Sequence, residues 1–139
     1  MTLTSQKFSP NDIIGTWDAM YFDEQEPCAH SIISACLEIF EDGTCRFQAQ
    51  MDETQANTIF GCGGTWSIHG YFLGFKRHFT EFGIKDNPNE TIKDDEKDSI
   101  PMTVVVELDA ERTMMALLPD PFIAIRAQSI QKTVYKRSA

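Results

Sequence analysis

The ten residues "EIFEDGTCRF", Glu38–Phe47, set the register of a β-hairpin and with it the character of the chain. Two turns are available. A two-residue Asp42-Gly43 turn would set Ile39 opposite Arg46 and Leu37 opposite Gln48, apolar against polar on both faces. A three-residue loop, Glu41–Gly43 with Gly43 left-handed, sets Ile39 opposite Cys45, Leu37 opposite Phe47, Ala35 opposite Ala49 and Ile33 opposite Met51. The other face then pairs Glu38 with Arg46, Cys36 with Gln48 and Ser34 with Gln50. One face becomes wholly apolar and the other largely polar, so the three-residue loop is the expected solution. It also puts Cys36 and Cys45 on opposite faces, where they cannot bridge.

The same period of two runs through the rest of the chain. Strands are expected over 13–22, 30–40, 44–51, 59–68, 71–79, 100–108, 113–118, 122–127 and 130–136, broken by Gly, Pro and Asp turn signals. Helix is confined to a turn or two in the first ten residues or near 89–98. In "WSIHGYFL" a His69-Gly70 turn would set Trp66 opposite Leu73, Gly64 opposite Phe75 and Cys62 opposite Arg77. Gly64 would then leave room for the Phe75 ring, and Tyr71 would face inward. The fold expected is all-β: one antiparallel up-and-down barrel of about eight or nine strands. The single domain covers 1–139, with an N-terminal arm over 1–11 and a long acidic loop over 80–99.

In an up-and-down barrel the connections alternate between two ends. One end receives the short turns 41–43, 69–70 and 109–112. The other receives 23–29, 52–58, 80–99 and 119–121, most of them long, and long loops tend to be lids or binding loops. These carry thirteen acids against three lysines, so the net charge of −9 gathers at the open end. Such a rim attracts cations or a basic protein surface. Nucleic acid is excluded as a partner, because phosphate binding needs a basic face. No apolar run reaches membrane-spanning length, and "MTLTSQKFSPND" lacks the apolar core of a signal peptide, so the chain reads as cytoplasmic.

Gly15-Thr16-Trp17 at the start of the first long strand resembles the Gly-x-Trp signature of lipocalins. The order of the other pieces is similar to the lipocalin-like, calycin-type barrels of bacteria: Phe40–Thr44, then Gly64–Phe75, then Asp109, Arg112 and Met115, then Tyr135 and Arg137 near the C-terminus. The resemblance implies that Trp17 plugs the closed end. It also implies that a late basic residue, Arg126 or Arg137, lies across the Trp17 face in a cation–π contact. Both roles are structural.

The inward row near the open end holds Tyr21, Phe47, Met51, Phe60, Phe75 and Met102. Barrels of this size are either filled by side chains or hold one small ligand. Ligand sites are apolar with a few polar anchors, here Tyr21 and Arg77. No cofactor is expected, and no metal. His69 and His78 lie at opposite ends of one hairpin, and the acidic run from Asp86 has Pro88 at its third position and no following Gly. Cys62 reads as a small buried strand residue. No nucleophile elbow, phosphate loop, zinc-protease or dinucleotide motif is present, which argues against an enzyme. Two readings remain: a barrel binding a small apolar or cationic molecule, and an acidic immunity- or inhibitor-like module docking on a basic protein.

Overall fold

The computed structural model describes residues 2–21, 32–53, 56–84, 87–95, 99–122 and 132–138. The described residues form ten strands and one helical turn: β1 (Thr4–Ser5), α1 (Pro10–Ile13), β2 (Gly15–Tyr21), β3 (Ile32–Ile39), β4 (Thr44–Glu53), β5 (Ala56–His69), β6 (Phe72–Ile84), β7 (Asn87–Asp95), β8 (Met102–Leu108), β9 (Met114–Leu118) and β10 (Thr133–Arg137). Neighbours along the chain pair antiparallel from β2 to β7 and from β8 to β10, β10 pairs with β2, and β6 pairs with β8, which closes an eight-stranded barrel. The all-β barrel expected from the alternation is therefore present, with β1 and β7 outside the ring. The expected strand over 122–127 and Arg126 lie outside the described residues, apart from Phe122, which sits in a turn.

The β3–β4 hairpin has the three-residue loop. Ile39 faces Cys45, Leu37 faces Phe47 and Ala35 faces Ala49, while Glu38 faces Arg46 and Cys36 faces Gln48. Gly43 takes φ +91°, the left-handed conformation that the loop demands. Asp42 tightens the turn by accepting from the Thr44 amide and hydroxyl. A bulge between Ile32 and Ser34 brings Ile32, not Ile33, opposite Met51.

The β5–β6 hairpin corrects the expected register. Its turn is Gly70-Tyr71, so His69 faces Phe72 and Trp66 faces Phe75. Gly70 has φ +68° at the first turn position, where a two-residue turn of the mirror type places glycine. Tyr71 is consequently exposed at the tip rather than inward. A bulge then sets Gly64 opposite Arg77 and Gly63 opposite Phe79. Gly64 does not make room for the Phe75 ring: a Cβ there would overlap the Lys76 carbonyl, so the backbone itself needs the space.

The segment 80–99, expected as an acidic loop, is largely strand. β6 runs on to Ile84 and β7 folds back along it, with Phe82 opposite Ile92 and Glu81 opposite Lys93. β6 therefore changes partner along its length. Phe72–Phe75 pair with β8 in the ring, and Phe79–Ile84 pair with β7, which flares away from it. β1 occupies the matching position along β8, at Glu107 and Leu108.

The closed end is built around Trp17, which has no exposed surface. Ser9 and Pro10 start α1, and the Asp12 carboxylate accepts from the Ser9 amide at 2.9 Å. This short helix lays Ile13 over the barrel end, and the Trp17 indole donates to the Ile13 carbonyl at 2.8 Å. Arg137 is the basic residue on the Trp17 ring, 4.2 Å from its centroid. Its guanidinium donates to three carbonyls, those of Arg112 at 2.9 Å, Ile14 at 2.6 Å and Asp12 at 2.7 Å. Gly15 explains the rest of the Gly-x-Trp motif. It has φ +136°, and a Cβ there would sit 2.7 Å from Arg137 Nη1. Trp66, the second Gly-Thr-Trp tryptophan, also works at this end: its indole N–H donates to the Phe40 and Thr44 carbonyls at 3.1 and 3.0 Å.

Candidate functional site

Three aromatic rings fill the middle of the barrel. Phe122 enters from the segment after β9, stacks on Phe47 at 5.4 Å between centroids and meets Phe75 at 4.7 Å. All three are buried. Asp120 holds this entry in place. Its carboxylate accepts from the Phe122 amide at 2.8 Å and from the Tyr135 hydroxyl at 2.6 Å, and both Asp120 and Tyr135 are fully buried. Burial, and then the adjacent Asp120 charge, push the Tyr135 hydroxyl well above its ordinary pKa.

The core row then leads outward. Ala35, Ala49, Phe60, Phe82 and Ile92 lie directly opposite one another across β3, β4, β5, β6 and β7. Directly paired residues share one face of a sheet. Ala35, Ala49 and Phe60 are core residues on the inner face, so Phe82 and Ile92 continue that face. Phe82 touches Phe60 edge-on at 5.1 Å. Exposure rises from 3% at Phe60 to 50% at Phe82 and 65% at Ile92. The row thus passes from sealed core to an apolar lip on the β6–β7 overhang.

The opposite face of the overhang is knitted shut. Gly61 and Gly63 in "GCGG" leave the outer surface of β5 bare, and a Cβ at either would meet Glu81 or the Phe79 ring. Phe79 lies over Gly63, Lys93 sits 4.4 Å over the Phe79 ring, and Arg46 pairs with Glu81 at 2.7 Å. Cys62 between these glycines points inward and is buried, as its neighbours require.

Of the residues expected at the open end, Phe47, Phe60 and Phe75 come together in the core just described, and Met102 faces Phe75 at the start of β8, half-buried. Arg77 is half-buried on β6, and its carbonyl accepts from the Ser99 hydroxyl. Tyr21 and Met51 end up in β2 and β4, but their side chains lie outside the described residues. Sequence reasoning missed Phe82, Ile92, Phe122 and the Asp120–Tyr135 pair. The signal for Phe122 was the Pro119-Asp120-Pro121 run before it, which breaks a strand rather than opening one. The described residues contain no group of three or more His, Cys, Asp and Glu side chains suited to a metal. No helix among them is long and apolar enough to cross a membrane.

This architecture is compatible with a lipocalin-like barrel. No protein-family model matches the chain, and neither a curated protein nor a solved structure matches it significantly.

Proposed function

We propose that the chain is a lipocalin-like binding barrel whose ligand is a small apolar molecule, or a cation with an apolar body, held at the mouth against the β6–β7 overhang. The observation that carries this reading is the row from Phe60 to Phe82 and Ile92, where the core face runs uncovered onto the overhang. Large apolar side chains exposed in a contiguous row mark contact sites. An aromatic face also accepts a cation. The ligand sits at the mouth because Phe122 takes up the space between Phe47 and Phe75. A neutral fluorescent probe, N-phenyl-1-naphthylamine, tests the reading: saturable one-site binding is expected, and Phe82→Asp should weaken it at least tenfold with unchanged circular dichroism. Linear, unsaturable enhancement, or equal binding by Phe82→Asp, overturns it.

The second reading, an acidic module for a basic protein, draws on Asp94 and Asp95, both exposed on β7. Their replacement by Asn would then abolish salt-sensitive capture of the partner in a pull-down and leave the probe bound.

A further inference from the structure

The outer wall carries a second feature, far in charge from the acidic character of the chain. Ser67, Gly74 and Thr103 lie directly opposite one another on β5, β6 and β8. Gly74 therefore makes a gap in the wall, with a hydroxyl on either side. The gap is the floor of a cleft of about 300 Å³ that Ser67, His69, Lys76 and Thr103 also line. A side chain at this position would crowd the cleft: a Cβ at Gly74 would come within 2.8 Å of Ser67 Oγ and 3.4 Å of the His69 ring. Ser67 Oγ and His69 Nε2 already share a hydrogen bond at 2.9 Å, which orients the imidazole beside the gap. Trp66 and Met102 lie directly opposite the buried Phe75, so their side chains belong to the inner face behind this cleft.

None of the described residues lining this cleft is acidic, although the chain has 21 acids against 12 Lys and Arg. The nearest outward acid on β8, Glu107, is held in an ion pair with Lys132 at 2.8 Å. What remains is an ammonium, an imidazole and the hydroxyls of Thr65, Ser67 and Thr103 around a bare backbone floor. Hydroxyls and an ammonium around a recess suit a tetrahedral oxyanion, and charge-assisted bonds from Lys76 add strength.

We infer that the cleft over Gly74 binds a phosphate group, as the free ion or as the phosphate of a monoester. The phosphate takes Lys76, Ser67, Thr103 and His69. The site is separate from the mouth and does not depend on the ligand proposed there.

The test is an NMR titration of the ¹⁵N-labelled full chain at constant ionic strength, with phenyl phosphate and inorganic phosphate as separate probes. Saturating amide shifts are expected at Ser67–Lys76 and Met102–Thr103, and none at Phe60 or Phe82. Both probes should bind, because the phosphate alone makes the contacts, and phenyl phosphate more than tenfold weaker than inorganic phosphate would restrict the site to the free ion. Lys76→Gln should weaken both at least tenfold, and Gly74→Val, which fills the gap, should abolish both. If Gly74→Val does not fold, Lys76→Gln together with Ser67→Ala decides the matter. Shifts that sodium chloride reproduces, or affinities unchanged in Lys76→Gln, overturn the site.

Discussion

The two ends of the barrel treat their aromatic residues in opposite ways. At the closed end Trp17 is sealed on every side: Ile13 above, Arg137 across its face, Gly15 clearing the space for the guanidinium. At the mouth Phe82 and Ile92 belong to the same inner face as the core, yet nothing among the described residues covers them. The difference comes from chain connectivity. Short turns at the closed end bring α1, the β8–β9 turn and the C-terminus within hydrogen-bond reach of one another. Arg137 ties the first to the other two through the carbonyls of Asp12, Ile14 and Arg112. At the mouth β6 outruns its ring partner β8 and takes β7 instead, so the inner face there overhangs the barrel. A stable end and an uncovered end follow from one sheet with unequal strand lengths.

The closed end should break most expensively. Trp17→Ala removes a fully buried ring and should cost about 3–5 kcal/mol of unfolding free energy, measured by urea denaturation. Arg137→Ala leaves three carbonyls short of a donor and strips the Trp17 face. It should cost about 2–4 kcal/mol, and Arg137→Lys should recover only part, because an ammonium lacks the guanidinium fork. Gly15→Ala meets both a positive φ and the Arg137 Nη1 atom. A loss of about 1–3 kcal/mol is expected, and the loss should shrink when measured in the Arg137→Ala background, where the obstructing atom is gone. Equal losses in the two backgrounds would show that backbone conformation alone, and not the guanidinium, requires glycine.

The unequal legibility of the chain has the same origin. In the β3–β4 hairpin a one-residue slip exchanges the faces, so Leu37, Ile39, Cys45 and Phe47 select the register unaided. In the β5–β6 hairpin the two candidate registers differ by two residues, which leaves every side chain on its own face. The alternation of Trp66, Leu73 and Phe75 is blind to that choice, and only the left-handed Gly70 settles it. The overhang was hidden for a different reason. Pro88, Asn89, Asp94 and Asp95 are poor strand formers, and β7 exists because the long β6 offers it a ladder. Arg137 could not be separated from Arg126 because the choice depends on which residue lands opposite Trp17, a matter of barrel closure. Phe122 and Asp120 were invisible because their roles rest on Tyr135, Phe47 and Phe75, which are far away in sequence.

Between the two ends, the buried Tyr135–Asp120 pair offers a pH measurement. Tyr135 in the folded chain has its pKa raised well above the ordinary value of 10, first by burial and then by Asp120. Between those two values the unfolded tyrosine has lost its proton and the folded one keeps it. The folded state then binds more protons, so stability falls as pH rises. The contribution of the pair is complete below pH 10. Above it, Tyr135 should remove about 1.4 kcal/mol per pH unit. Urea midpoints between pH 9 and 11.5 should decline more steeply in the wild type than in Tyr135→Phe. Tyr135→Phe itself should cost about 1–2 kcal/mol at neutral pH, because Asp120 loses a donor. The tyrosinate absorbance of the folded wild type and of Tyr135→Phe should coincide up to the onset of unfolding.

The smallest stability effect belongs to the mouth, and there it is informative because it is small. Phe82 is half-exposed and touches Phe60 by one ring edge, while Ile92 is exposed further still. Phe82→Ser should therefore change unfolding free energy by less than about 1 kcal/mol, and Ile92→Ser by less than about 0.5 kcal/mol. A residue kept large and apolar for packing would cost several times more when truncated. Measured together, the two variants separate packing from contact. Near-unchanged urea midpoints with loss of the neutral probe assign Phe82 and Ile92 to a surface kept for a ligand. A loss of 2 kcal/mol or more at Phe82, on the scale of a buried phenylalanine, would instead make the overhang part of the core. The contrast between the sealed and the uncovered end would then disappear.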